Sequence, residues 1–190
     1  MQNSISTIVA LCTAGVLLFI APLITLTYRS DNVTQENVKL IVEEFVTDIR
    51  NTGKLTRTKY LNFASELYSI GNNTYEIEME IQHLDENVGK KTAQSNYTKI
   101  GENVYYSEFT TQILKQLGIK SDNEEIANET EFLKNDTMIL KEGDIITVEI
   151  KNTNSTAAQT LKSSFIGFSN ADEYVISARS SGMITVNGRN

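Results

Sequence analysis

The hydrophobic and polar positions divide the chain into two unlike parts. From Ile5 to Tyr28 runs an uncharged stretch of 24 residues, most apolar between Ile8 and Leu26. As a helix it would measure about 36 Å, longer than the ~30 Å hydrocarbon core of a bilayer. Tyr28 and Arg29 close it as interfacial anchors do. Its hydroxyls (Ser6, Thr7, Thr13, Thr25, Thr27) are tolerable in lipid because each can bond back to a helix carbonyl. Pro22 removes one backbone bond, which predicts a kink.

A cleaved secretory signal is the competing reading of this segment. It needs a basic flank and a shorter apolar run, yet residues 1–7 carry no Lys or Arg. Cleavage after Ala21 would leave Pro22 at the new terminus, which is unfavourable. Residues 1–30 are therefore expected to be a retained transmembrane anchor, with membrane lipid as the first partner. Lys and Arg in the flanks are too few to orient it strongly. Arg29 and Lys39 on the C-terminal side favour, by that rule alone, an inward-facing domain.

Beyond the anchor the periods alternate between helix and strand. Ser30-Asp31-Asn32 is a polar break, after which a helix is expected over 33–51. Val38, Ile41, Val42, Phe45 and Ile49 form its apolar stripe, and Gly53 stops it. Thr56 is a candidate N-cap for a helix over 57–70, with Tyr60, Phe63, Leu67 and Ile70 inward. Tyr75 to Gln82 alternates strictly: Tyr, Ile and Met on one side, Glu76, Glu78, Glu80 and Gln82 on the other. That predicts a half-covered antiparallel strand with a wet acidic face.

Leu84 to Ser95 reads as a polar loop, and residues 97–105 as a short strand or turn. A third helix is expected over Ser107–Leu117, with Phe109, Ile113 and Leu117 inward. Residues 119–137 form an acidic, insertion-like loop. Strands resume at Met138–Leu140 and Asp144–Lys151, around a turn at Glu142-Gly143. A helix capped by Asn154 or Ser155 should run to Ile166. Even positions from Tyr174 to Val186 keep one face without a slip, which favours one long strand over a hairpin. The class is α+β: an N-terminal transmembrane helix, then a domain over 31–190 whose antiparallel sheet is covered by helices on one face.

Charge and rare residues narrow the chemistry. The 17 basic and 24 acidic residues give a net charge of −7, with no basic block, so nucleic acid is excluded as a partner. One Cys, one His and no Trp leave no material for an intrachain disulfide or a Cys/His zinc site. The sequence assigns no catalytic residue, cofactor or metal. Glu76, Glu78 and Glu80 stand about 7 Å apart on one strand face, too wide for one cation, and read as a solvated face. His83 lies just past that strand and reads as a surface or strand-end residue, because no nucleophile signature accompanies it. Gly89-Lys90-Lys91-Thr92 lacks the upstream glycine of a phosphate loop and reads as a charged turn. Six Asn-x-Ser/Thr triplets, at Asn32, Asn72, Asn96, Asn128, Asn135 and Asn154, match the abundance of Asn and Thr and are not read as glycosylation sites.

A set of short motifs points further. The anchor runs into Phe45-Val46-x-x-Ile49-Arg50-Asn51-Thr52-Gly53-Lys54-Leu55-Thr56 and Tyr60. Later come Leu84-Asp85-Glu86-Asn87, Gly89-Lys90-Lys91-Thr92, Glu142-Gly143-Asp144 and Ser181-Gly182-Met183-Ile184-Thr185-Val186-Asn187-Gly188. Together they resemble small membrane-anchored, pilin- or pseudopilin-like (TadE-like) proteins of Gram-positive bacteria, encoded with Tad/Flp type IV-pilus-like secretion components. The resemblance covers nearly the whole chain. It implies a non-enzymatic, single-pass cell-membrane protein with its domain outside, acting as a structural or accessory subunit. The chain departs from pilins in two ways: nothing basic precedes the apolar run, and no acid occurs before Asp31. The competing function is an anchored extracytoplasmic ligand-binding or sensing domain.

Other membrane helices of an envelope assembly are the expected protein partners, with the oligomeric state open. In lipid, helices associate by close packing, so small residues mark the candidate face. Ala10, Ala14 and Ala21 supply it, with Pro22 setting the bend. Ala10 and Ala14 form a small-xxx-small pair, and a passive anchor is the alternative.

Overall fold

The protein is described by a computed structural model covering residues 2–71, 73–85, 104–119, 136–166 and 176–188. The expectations for 86–103, most of 119–137 and 167–175, including Gly89–Thr92 and the sequons at 72, 96, 128 and 135, lie outside the described residues.

One helix, α1 (Gln2–Thr52), takes up the first 51 residues of the described chain. The expected break at Ser30-Asp31-Asn32 does not exist. Ser, Asp and Asn each cost only some tenths of a kcal/mol in a helix, and from Leu23 to Thr52 there is neither Gly nor Pro to stop it. The helix also continues on both sides of Pro22. The boundary drawn at residue 30 therefore falls inside a helix.

The two halves of α1 live in different surroundings. Ile5, Leu11, Leu18 and Phe19 are 66–75% exposed, whereas Val38, Val42, Phe45, Val46 and Ile49 are buried. Burying side chains of this size contributes about 1.5–3 kcal/mol each, which fixes the second half as the spine of the domain. Gly53, at φ +61, ends the helix. Its N–H bonds to Ile49 O at 2.8 Å.

Around this spine the chain adds β1 (Lys54–Thr56), α2 (Arg57–Ser69), β2 (Tyr75–Asp85), β3 (Val104–Phe109), α3 (Thr110–Gln116), β4 (Thr137–Ile139), β5 (Ile145–Asn152), α4 (Ala157–Ile166) and β6 (Ser177–Met183). The α+β class holds. Thr56 caps α2 as expected, its hydroxyl accepting from Lys59 N at 3.1 Å. Helix α2 is held to α1 by stacking of Phe63 on Phe45, with centroids 4.0 Å apart, and by a Lys59–Asp48 ion pair of 2.7 Å.

The main sheet has the order β3-β2-β5-β6, all antiparallel, and β1 pairs with β4 in a separate two-stranded sheet. Tyr75, Met79 and Ile81 of β2, with Ile146, Val148 and Ile150 of β5, fill the core face. On β6 the core parity runs without slip from Ala178 to Ile184 in one strand, but the strand is shorter than expected: it ends at Met183, and Val186 is exposed.

Three expectations need correction. The third helix starts at Thr110, not Ser107, because Val104 to Phe109 is a strand paired with Glu80–Asp85. Phe109 therefore points to the open sheet face and is exposed, while Ile113 and Leu117 are buried as expected. The cap of α4 is neither Asn154 nor Ser155 but Thr156, whose hydroxyl accepts from Gln159 N while Gln159 Oε1 accepts from Thr156 N. That reciprocal pair is the capping box. Strand β1 was not expected at all: three residues are too few for a period, and only the buried Leu55 marks it.

Candidate functional site

The apolar half of α1 is the only helix among the described residues long and apolar enough to cross a membrane; its most apolar 18-residue window has a mean hydropathy of 2.5 and is not buried. Three of its hydroxyls bond back to helix carbonyls, as the sequence suggested. Thr13 donates to Val9 O at 2.8 Å, Thr25 to Ala21 O at 2.9 Å and Thr27 to Ile24 O at 2.9 Å. Ala10, Ala14 and Ala21 fall within about 40° of one another around the helix at 3.6 residues per turn, while Pro22 lies a further ~100° round. All four are exposed among the described residues, and Leu17 falls on the same face between Ala14 and Ala21.

At the join between the two halves stands Asp31. It is 4% exposed, and its Oδ2 has no hydrogen-bond partner among the described residues. It continues the buried stripe at the seven-residue spacing of Val38 and Phe45. One turn on, Gln35 clamps the edge strand β6: its Nε2 donates to Ser177 O and its Oε1 accepts from Ser177 N. At the other end of β6, Arg50 Nε donates to Met183 O at 3.0 Å. Strand β6 thus runs alongside α1, with its end remote from the apolar half of the chain.

That remote end is where the motif segments meet. Leu140 N bonds to Gly53 O, Gly188 N to Leu140 O, Thr185 N to Arg50 O, and Gly143 N to Ile184 O. Within this knot lies the one histidine. His83 is not a surface residue past the strand. It belongs to β2, and its side chain is only 13% exposed. Position 83 continues the odd, core-facing parity of Tyr75 to Ile81, a signal that was present in the sequence.

Asp144, 1% exposed, organises the cluster. Its Oδ1 accepts from Leu84 N at 3.0 Å, and its Oδ2 accepts from Lys141 N at 2.9 Å and faces His83 Nδ1 at 3.0 Å. On the other side of the ring, Nε2 stands 3.8 Å from Glu108 Oε2. Tyr106 stacks on the imidazole at 5.0 Å, and Gln116 of α3 donates to Glu108 Oε2 at 2.8 Å. These groups border a cleft of about 440 Å³, closed elsewhere by Met138, Ile139 and Lys141.

The pairing of Asp144 with His83 is the orienting half of a nucleophilic triad. The place where such a triad has its hydroxyl or thiol is taken here by the Glu108 carboxylate. Both Asp144 oxygens hold backbone N–H groups. Among the described residues no group of three or more His, Cys, Asp or Glu side chains could hold a metal.

The open sheet face carries the glutamates, as their parity required. Glu78 stands opposite Glu149, Glu76 opposite Lys151, and Glu149 opposite Arg179, whose Nη1 is 3.7 Å from Glu149 Oε2. Glu80 is tied down by Gln82 and by Ser107, at 3.0 and 2.7 Å. These two hydrogen bonds, with a smaller effect from the Arg179 charge, hold its carboxyl below the usual range.

Compared with family models, characterised proteins and solved structures, the chain matches none.

Proposed function

We propose that the protein is a non-enzymatic, single-pass membrane protein, a structural or accessory subunit of a type IV pilus-like secretion apparatus, with its domain outside the cytoplasm. The observation that supports this reading is the undivided α1. Its apolar half is exposed and its polar half is the spine of the domain, so a force or displacement acting on the membrane segment is transmitted to the domain without a hinge of Gly or Pro after residue 22. The stripe of Ala10, Ala14 and Ala21 is where a neighbouring membrane helix packs closely.

The test has two parts. A cysteine at exposed Thr111 is expected to react with an impermeant maleimide in intact cells; labelling only after lysis reverses the orientation. Ala10→Leu with Ala14→Leu is expected to abolish crosslinked complexes while the domain's melting is unchanged. Undiminished crosslinking leaves only a passive anchor.

A second reading, an anchored ligand-binding or sensing domain, is favoured by the cleft beside His83. Ligand binding with no effect of the Ala10 and Ala14 substitutions on any complex would favour it.

A further inference from the structure

The cleft beside His83 contains a pair of acceptors that no group of the cluster bridges. Asp144 already accepts two backbone N–H groups, so it acts as a carboxylate acceptor toward the ring as well, and Nδ1 of His83 carries the proton. In the neutral ring, Nε2 is then a lone pair. It lies 3.8 Å from Glu108 Oε2, beyond hydrogen-bond reach. Tyr106 fixes the plane of the ring by stacking, and Gln116 fixes the carboxylate while using only one of its lone pairs.

Two acceptors at this separation select for a group that donates twice. A hydroxyl has one proton and satisfies one of them; a water donates twice but brings no charge to the carboxylate. An anion is repelled by Glu108. An ammonium has three N–H donors and a charge that complements the carboxylate, which makes its hydrogen bonds roughly twice as strong as neutral ones. The cleft, at about 440 Å³, falls in the size range of small-ligand sites. Lys141 borders it but makes no ion pair among the described residues, so its ammonium does not fill the place.

We propose that this cleft binds a primary ammonium group, with His83 Nε2 and the Glu108 carboxylate as its two acceptors. Asp144 and Tyr106 are positioning residues that hold the imidazole in the required tautomer and plane. The charged and titratable groups facing the ring are Asp144 and Lys141 from the turn before β5, and Glu108 and Tyr106 from β3; α3 contributes the neutral Gln116. The inference does not rest on the membrane-subunit reading.

The chain has one histidine, so its imidazole gives a single, assignable signal. The experiment is a long-range ¹H–¹⁵N spectrum of the ¹⁵N-labelled full chain in a neutral detergent at about pH 8, where an ordinary histidine is neutral. The expected spectrum is that of the Nδ1–H tautomer, with the Nε2 resonance shifting saturably on addition of Nα-acetyl-lysine methylamide or of glucosamine. Neither Nε-acetylated lysine nor N-acetylglucosamine should shift it. A response to the lysine amide alone assigns a lysine side chain, and a response to glucosamine alone assigns an amino sugar. Glu108→Gln is expected to weaken binding at least tenfold, on the order of one charged hydrogen bond. The Nε2–H tautomer, the absence of a saturable shift with both amines, an equal shift from the acetylated controls, or undiminished binding in Glu108→Gln overturns the proposal.

Discussion

The Arg50 side chain lies across Gly182. A Cβ at position 182 would overlap Arg50 Cδ and Nε, and the same guanidinium donates to the neighbouring Met183 O at 3.0 Å. The arginine that ends the buried half of α1 is thereby locked to the last strand, 132 positions later in the chain. Only a residue without a side chain leaves it room.

Two glycines near this contact are expected to respond differently to alanine. In Gly182→Ala the obstacle is the far part of a flexible side chain, which can swing away and give up its bond to Met183 O. The loss should be about 1 kcal/mol, the worth of one hydrogen bond. In Gly53→Ala the obstacles are the backbone at Val186 and Gly188, and φ is +61. Backbone cannot swing aside, so the loss should exceed about 2 kcal/mol. Denaturant unfolding of the full chain in micelles, followed by near-ultraviolet circular dichroism, ranks the two; an equal or reversed order contradicts the packing described.

Asp31→Leu is expected to stabilise the domain. The present side chain buries a carboxylate oxygen that has no partner among the described residues, at a position in register with Val38 and Phe45. Removing that desolvation cost is worth about 1–3 kcal/mol. The same unfolding measurement checks it, and a loss of stability would mean that Asp31 has a partner outside the described residues.

Asp144→Asn preserves shape and removes the charge. One of its two oxygens becomes an NH₂ facing N–H donors, so at least one backbone donor is left without an acceptor. The expected cost is about 2–4 kcal/mol. The histidine spectrum supplies a second check, because the Nδ1–H tautomer should no longer dominate.

The Glu80 carboxyl is held below its ordinary 4.5 by hydrogen bonds from Gln82 and Ser107. A depressed carboxylate favours the folded state above the unfolded value, and that contribution is lost as pH falls through the folded value. Since the group is close to solvent, the contribution is small. Ser107→Ala should move the Glu80 titration upward, toward 4.5, as read from its side-chain carbon shift. No movement would show that the hydroxyl does not hold the carboxylate.

Local period was enough to find most of the elements. Tyr75 to Ile81 alternates with period two and Tyr60, Phe63 and Leu67 recur with helical spacing, and each pattern reports which face a side chain turns to the core. The apolar run from Ile5 to Tyr28 likewise carries its own solvent preference. Period says nothing about partners distant in the chain. Whether Ser30-Asp31-Asn32 breaks the helix depends on the absence of a Gly or Pro and on the packing of Val38 and Val42 against the sheet, and only the second of these needs the fold. Strand β1 exists because β4 lies beside it, more than 80 residues away. The place of His83 was half legible. Its parity pointed inward, but Asp144 is 61 residues further along and Glu108 25, and neither spacing repeats a known motif. The sequence determined which residues prefer lipid, core or water, because that preference is a property of each side chain and its immediate period. The tertiary structure decided which oxygen meets which nitrogen, because antiparallel pairing of β2 with β3 and β5 brings together residues that the chain itself keeps far apart.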